Sequence, residues 1–175
     1  MNRLKNQTCY LAGAIDRVDD FGIGWRDEIT PFLLKKEIIV FDPLKKTSGI
    51  GEEGKKIHQI KKEYKENEKY DEISKLMKEI RCVDLRLIDK SDFLIVNLDL
   101  DVHPCGSYEE IFTANRAKKP ILICIKQGKK HIPDWLFGTI PHQMFFCNWN
   151  DLKNYLNHID CDEFIESHKR WQFIN

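Results

Sequence analysis

Five short apolar runs constrain the fold of this chain more than any other feature: 8–14 (TCYLAGA), 38–41 (IIVF), 93–98 (FLIVNL), 120–125 (PILICI) and 143–147 (QMFFC). They are apolar on both faces, as parallel strands are when helices cover the sheet on each side. The stretches between them carry helical patterns, so the chain reads as successive βαβ units with right-handed crossovers. The expected architecture is α/β, with a five-stranded parallel sheet in the order 2-1-3-4-5 and helices on both faces.

Residues 24–36 read as the first helix, with Trp25, Ile29, Phe32 and Leu33 on one face and Pro31 disturbing its early turns. Residues 45–81 break the rhythm. A glycine-rich start leads into a highly charged helical stretch, whose second half has an apolar face of Tyr70, Ile73, Leu76, Met77 and Ile80. This insertion is either a solvated addition to the sheet or a lid or subunit contact over a pocket. Residues 151–159 form a short helix, and 162–175 a second that carries Phe164, Trp171 and Phe173. At 175 residues the length suits a single domain, 1–175, with 45–81 as the insertion and 160–175 as a C-terminal tail.

Charge narrows the partners. The 28 basic and 28 acidic residues balance, so no net field attracts a nucleic-acid polymer. No apolar run approaches the ~20 residues of a membrane span. The apolar start of the chain reads as a strand rather than a signal peptide. Six cysteines are scattered without a CxxC pair, which fits the reducing cytoplasm and gives a zinc site no support. The histidines form no HExxH or HxH pattern, so neither a metal nor an organic cofactor is expected.

The chemistry is sought outside the carboxyl ends of the strands, where open α/β sheets bind ligands. An acidic helix end (Asp84, Asp89, Asp92) precedes the strand at 93–98. Asp99 and Asp101 follow that strand and edge the crevice. Then comes Gly106-Ser107, and a helix expected to open with Glu109 and Glu110. Ser107-x-x-Glu110 fits a capping box, in which both side chains satisfy amides of their own helix. The functional alternative is a nucleophilic or acid/base carboxylate beside free N–H groups at a helix start. Tyr10 and Gly13 end the first strand, one with a hydroxyl and the other with room for close approach. Asp16, Asp19 and Asp20 follow in a loop that could wall the pocket, and there is no GxGxxG spacing. Cys105 at the helix mouth has no sequence-local partner as a thiol nucleophile.

In order along the chain stand Tyr10-Leu11-Ala12-Gly13-Ala14, Gly24-Trp25-Arg26, Phe41-Asp42-Pro43, the segment 84–92, Gly106-Ser107-x-x-Glu110-Ile111 and Lys119-Pro120. Together they resemble the nucleoside 2-deoxyribosyltransferase superfamily, which also includes nucleotide N-glycoside hydrolases. The likeness covers most of positions 8–125. It implies a Rossmann-like, flavodoxin-like three-layer sandwich, with Glu110 attacking the anomeric carbon, Asp84 handling the base proton and Tyr10 orienting the catalytic carboxylate. Gly13, Asp99, Asp101, Gly106 and Ser107 are the implied substrate-binding residues. One departure stands out: the family's transferases often carry an aspartate two residues before the motif glycine, and this chain has Pro104. Either Asp99 or Asp101 substitutes for it or the substrate is handled differently.

The expected activity is cleavage of the N-glycosidic bond of a 2'-deoxynucleoside or its 5'-monophosphate through a covalent glycosyl-glutamate. The partners are that small molecule and a free nucleobase, and the resemblance also implies a homo-oligomer. Two carboxyl groups divide such work between nucleophile and acid. A 5'-monophosphate hydrolase and a non-catalytic nucleotide-binding or sensing module are the competing expectations.

Overall fold

The computed structural model describes residues 2–46, 51, 53–161 and 169–171. Five strands, β1 (Thr8–Gly13), β2 (Ile39–Phe41), β3 (Phe93–Leu98), β4 (Ile121–Ile125) and β5 (Phe145–Phe146), form one sheet in the order 2-1-3-4-5. Every pairing is parallel. β1 and β4 are buried along nearly their whole length, as strands covered on both faces must be. Strand order reverses between β1 and β3, which are in register from Cys9↔Phe93 to Gly13↔Asn97. The crevice beyond their carboxyl ends is therefore the topological switch point, where this architecture binds ligands.

Helices α1 (Ile23–Lys35) and α6 (Trp149–Asp160) share one face, where Trp25 and Trp149 stack with ring centroids 5.5 Å apart. Helices α3 (Tyr70–Lys90) and α4 (Cys105–Arg116) pack on each other and on β1 across the opposite face. Helix α2 (Lys55–Glu66) lies on α3, and the short α5 (Asp134–Phe137) follows β4.

Two expectations need correction. Helix α1 continues through Pro31, because its buried face of Trp25, Ile29 and Leu33 supplies packing that outweighs one missing hydrogen bond. The second half of the charged insertion and the acidic segment after it form one continuous helix, α3. Helix α4 begins at Cys105, so Glu109 and Glu110 sit in its second turn rather than its first. Residues 162–168 and 172–175 of the expected C-terminal helix lie outside the described residues, whereas Trp171 is buried against Phe93. Among the described residues no helix is long and apolar enough to cross a membrane.

The end of β1 is held by a buried cation. Arg26 of α1 is 1% exposed and its guanidinium donates to the carbonyls of Gly22 (2.8 Å), Gly13 (3.3 Å) and Leu11 (3.4 Å). It also lies 3.4 Å from Asp42 and over the Trp25 ring. Gly13 is required here: a Cβ would come within 3.0 Å of both the Asn97 carbonyl and the Trp25 ring. Truncating Arg26 leaves the buried Asp42 with only the exposed Lys45, 3.7 Å away, as a countercharge. Arg26→Ala is expected to cost about 3–5 kcal/mol of unfolding free energy, read from urea denaturation. A loss below about 1 kcal/mol would show that the cluster is not what holds the strand end.

Candidate active site

A cleft of about 770 Å³ opens at the switch point, between the loop after β1, helices α2 and α3, and the start of α4. Gly13, Asp84, Gly106, Ser107 and Glu110 line it, as does Glu53, which precedes α2. Tyr10, fully buried in β1, reaches it through its hydroxyl, which donates to Glu110 Oε1 at 2.8 Å.

The capping box does not form. The N-cap of α4 is Pro104, with no side-chain cap, so Ser107 is already the third residue of the helix. Glu110, in the second turn of the helix and clear of the orphan amides at its start, is available to the cleft. It lies next to the buried stripe Ser107-Ile111-Ala114, which fixes the direction of its side chain. Asp84 comes from a similar place on the facing helix. It occupies the middle of the stripe Ile80-Asp84-Ile88, where i, i+4 spacing calls for an apolar residue.

A carboxylate in such a place is expensive, and the site shows how the expense is met. Lys46 Nζ lies 2.7 Å from Asp84 Oδ1 and 3.0 Å from Glu53 Oε1, and donates to the Gly51 carbonyl at 2.7 Å. The contact with Asp84 is an ion pair off the hydrogen-bonding axis, since Oδ1 lacks a well-directed donor. The three side chains are 4%, 11% and 11% exposed for Lys46, Asp84 and Glu53. Burial raises the Asp84 carboxyl despite Lys46 and despite hydrogen bonding with Glu53 and Tyr10. Burial and the neighbouring Asp84 charge together lift Glu53 to about 7. Glu110 is pushed up to about 8, first by burial and then by the Asp84 and Glu53 charges, against the Tyr10 hydrogen bond and the more distant Arg26. Burial and the adjoining carboxylates hold the Tyr10 hydroxyl well above its ordinary value, so it remains a donor.

The far wall is the charged insertion. Asp16, in the loop after β1, pairs with Lys61 Nζ at 2.5 Å and His58 Nδ1 at 3.0 Å, tying α2 across the cleft. Burial opposes ionisation of Asp16, but these two partners keep its carboxyl below the usual range. Arg81 and Glu109 form a bidentate bridge between α3 and α4 at the exposed rim. The insertion thus lines the cleft instead of projecting into solvent.

Asp99 and Asp101 do not line this cleft. Gln127 donates to both carboxylates, at 2.6 and 2.8 Å, and Lys126 pairs with Asp99 at 2.8 Å, which turns them toward the end of β4. Asp92 accepts from the Thr8 amide at 2.7 Å and anchors β1, while Asp89 is exposed. Cys105 starts α4 at the edge of the cleft. Lys46 and Glu53 escape sequence reading because their segment is glycine-rich and has no period. Asp84 had a usable signal, a charge in the middle of an apolar helical stripe.

No protein-family model matches the chain, and no curated protein matches it by sequence. Solved structures do. A 2-deoxyribosyltransferase from Bacillus psychrosaccharolyticus superposes with a TM-score of 0.55 at 17% identity, over 85% of this chain and 91% of its own. A 2-desoxiribosyltransferase from Leishmania mexicana gives 0.53 at 15% identity, over 87% of this chain and 98% of its own. The chain shares the Rossmann-like α/β fold of these proteins.

Ionisation of Glu110 links the site to stability. Its folded carboxyl keeps a proton to about pH 8, whereas in the unfolded chain it ionises near the ordinary glutamate value. The folded state is therefore favoured below that range and loses ground as pH rises to about 8. Glu110→Gln escapes this loss. Its melting temperature is expected to gain on wild type progressively from pH 5 upward, levelling off once pH passes about 8. A difference that does not change with pH would refute the raised ionisation.

Proposed function

We propose that this protein cleaves the N-glycosidic bond of a 2'-deoxynucleoside or its 5'-monophosphate, with Glu110 as nucleophile, Asp84 as acid/base and Tyr10 as the group that orients Glu110. The observation that carries this reading is the 2.8 Å hydrogen bond from the Tyr10 hydroxyl to Glu110 inside the cleft, made by a glutamate its own helix does not use as a cap. Attack draws on the ionised form of Glu110, which grows as pH rises to about 8; in that form the Tyr10 bond fixes one oxygen and leaves the other for the anomeric carbon. Attack forms the C1'–O bond of a glycosyl-glutamate as the C1'–N bond breaks, its electron pair leaving with the base. Asp84 supplies the base with a proton. A second base that captures the sugar makes the enzyme a transferase, and water makes it a hydrolase.

The shared fold with two 2-deoxyribosyltransferases supports this reading. Arg17, Lys62, Lys65 and Lys78 also line the cleft, and these cations suit the phosphate of a 5'-monophosphate. Gly13, Gly106 and Ser107 complete the substrate-binding surface in this proposal. A single domain in the cytoplasm, assembling as a homo-oligomer, belongs to the same reading. Tyr70 and Met77, 63% and 37% exposed on α3, offer apolar contact for a second copy.

Incubation with a panel of deoxynucleosides and monophosphates, with chromatography for free base, tests the activity. Repeating it with a second base present separates transfer from hydrolysis. Glu110→Gln is expected to lower base release by at least about 10³-fold; near-wild-type turnover would sink the assignment. Tyr10→Phe is expected to cost about 10–100-fold, the worth of a hydrogen bond to a charged group. Without that donor Glu110 ionises less readily, so the acid limb of the rate profile should move to higher pH. An unmoved limb would mean that the hydroxyl does not act on Glu110.

A further inference from the structure

Resting on the reading of Asp84 as the acid, we infer that Glu53 and Lys46 are positioning residues that complete it: Asp84 and Glu53 share one proton across the Lys46 ammonium and work as a single unit. The geometry is a buried triad. One ammonium lies within 3.0 Å of both carboxyl groups, and both carboxyl groups face the same cleft. With both ionised the triad carries one net negative charge in a poorly solvated place, beside Glu110. One retained proton neutralises it. Lys46 is fixed in turn by the Gly51 carbonyl, and Gly51 donates its amide to Glu79 of α3 at 3.0 Å.

The proton balance follows. As the C1'–N bond breaks, Asp84 gives its proton to a ring nitrogen of the base, which keeps the bonding pair, and the sugar is captured by the Glu110 carboxylate. With the one shared proton gone to the base, Asp84 and Glu53 are both carboxylates, held by the Lys46 ammonium. When water or a second base attacks the glycosyl-glutamate, the proton that it loses returns to the pair, and Glu110 leaves as carboxylate. No outside proton donor or metal is needed. The other titratable and charged groups that act on the triad are Tyr10 from β1, Arg26 from α1, Glu110 from α4 and Lys61 from α2, the last largely engaged by Asp16.

Two substrates separate this role from a structural one. On a natural substrate the departing base needs a proton; on the corresponding para-nitrophenyl 2-deoxyriboside the phenolate departs without one. Glu53→Gln is expected to lower kcat at least about tenfold on the first and to leave the second within about threefold of wild type. Removing the Glu53 charge eases ionisation of Asp84, so the alkaline limb should move to lower pH. Lys46→Met removes the cation and should move the same limb to higher pH. Equal losses on both substrates, or limbs that move together, would overturn the shared proton while leaving base cleavage by Glu110 in place. Absence of cleavage of either substrate by the wild-type protein would instead overturn the proposed function, and this inference with it.

Discussion

The hydrogen bond between Tyr10 and Glu110 joins residues from the centre of the sheet and the second turn of a helix. It depends on β1 and β3 ending together, on Gly13 allowing that close approach, and on Arg26 holding the carbonyls at the strand end. It depends equally on α4 starting early, so that Glu110 clears the orphan amides. Had the helix begun at Ser107, the same glutamate would have met its own backbone. A shift of a few residues in one helix start thus separates a cap from a reactive group.

Environment shifts some carboxylates of this protein down and others up. Asp20 accepts from the amides of Gly24 and Gly22, and those bonds pull its carboxyl below the usual range. Asp99, though burial opposes it, is held low by Lys126 and Gln127. Such groups keep their charge further into acid than a free carboxylate does. Glu110, Asp84 and Glu53 face one another across the cleft, and burial outweighs the cations near them. Their titration belongs to the cluster rather than to any member. Glu53 at about 7 and Glu110 at about 8 can both give and take protons near neutrality, which carboxylates held low cannot.

The sheet was legible because each strand is a short apolar run with no competing period. β3 spans 93–98 as read, and the strand order follows from the connections. Glu110, Asp84 and Tyr10 were legible through a resemblance, and their convergence needs only the register of β1 with β3 and the packing of α3 on α4. The start of α4 was not, because Pro104 and Gly106 read as turn residues although the chain is helical from Cys105. Lys46 and Glu53 were hidden for a different reason. Their contacts with Asp84 are tertiary, made by an irregular segment whose local sequence carries no pattern. Asp99 and Asp101 are at the strand end as expected, but Gln127, from beyond β4, draws them aside.

The charged insertion gives the cleft its fourth wall, and its composition bears on what the site can do. The side of α2 toward the body of the protein is not a standard apolar stripe: its buried residue is Lys61, matched by Asp16. That pair joins a buried ammonium to a half-exposed carboxylate, so this wall is fastened by charge where the strands beneath it are fastened by apolar packing. A firmly packed wall would protect a glycosyl-glutamate from water but would also block the second base. On the proposed mechanism, the balance between transfer and hydrolysis is then set by which nucleophile fills the space between Asp84 and α2 when the glycosyl bond to Glu110 is exposed. On that mechanism the polarity of the insertion is part of the balance, because the helix beside an entering base would also have to keep water out.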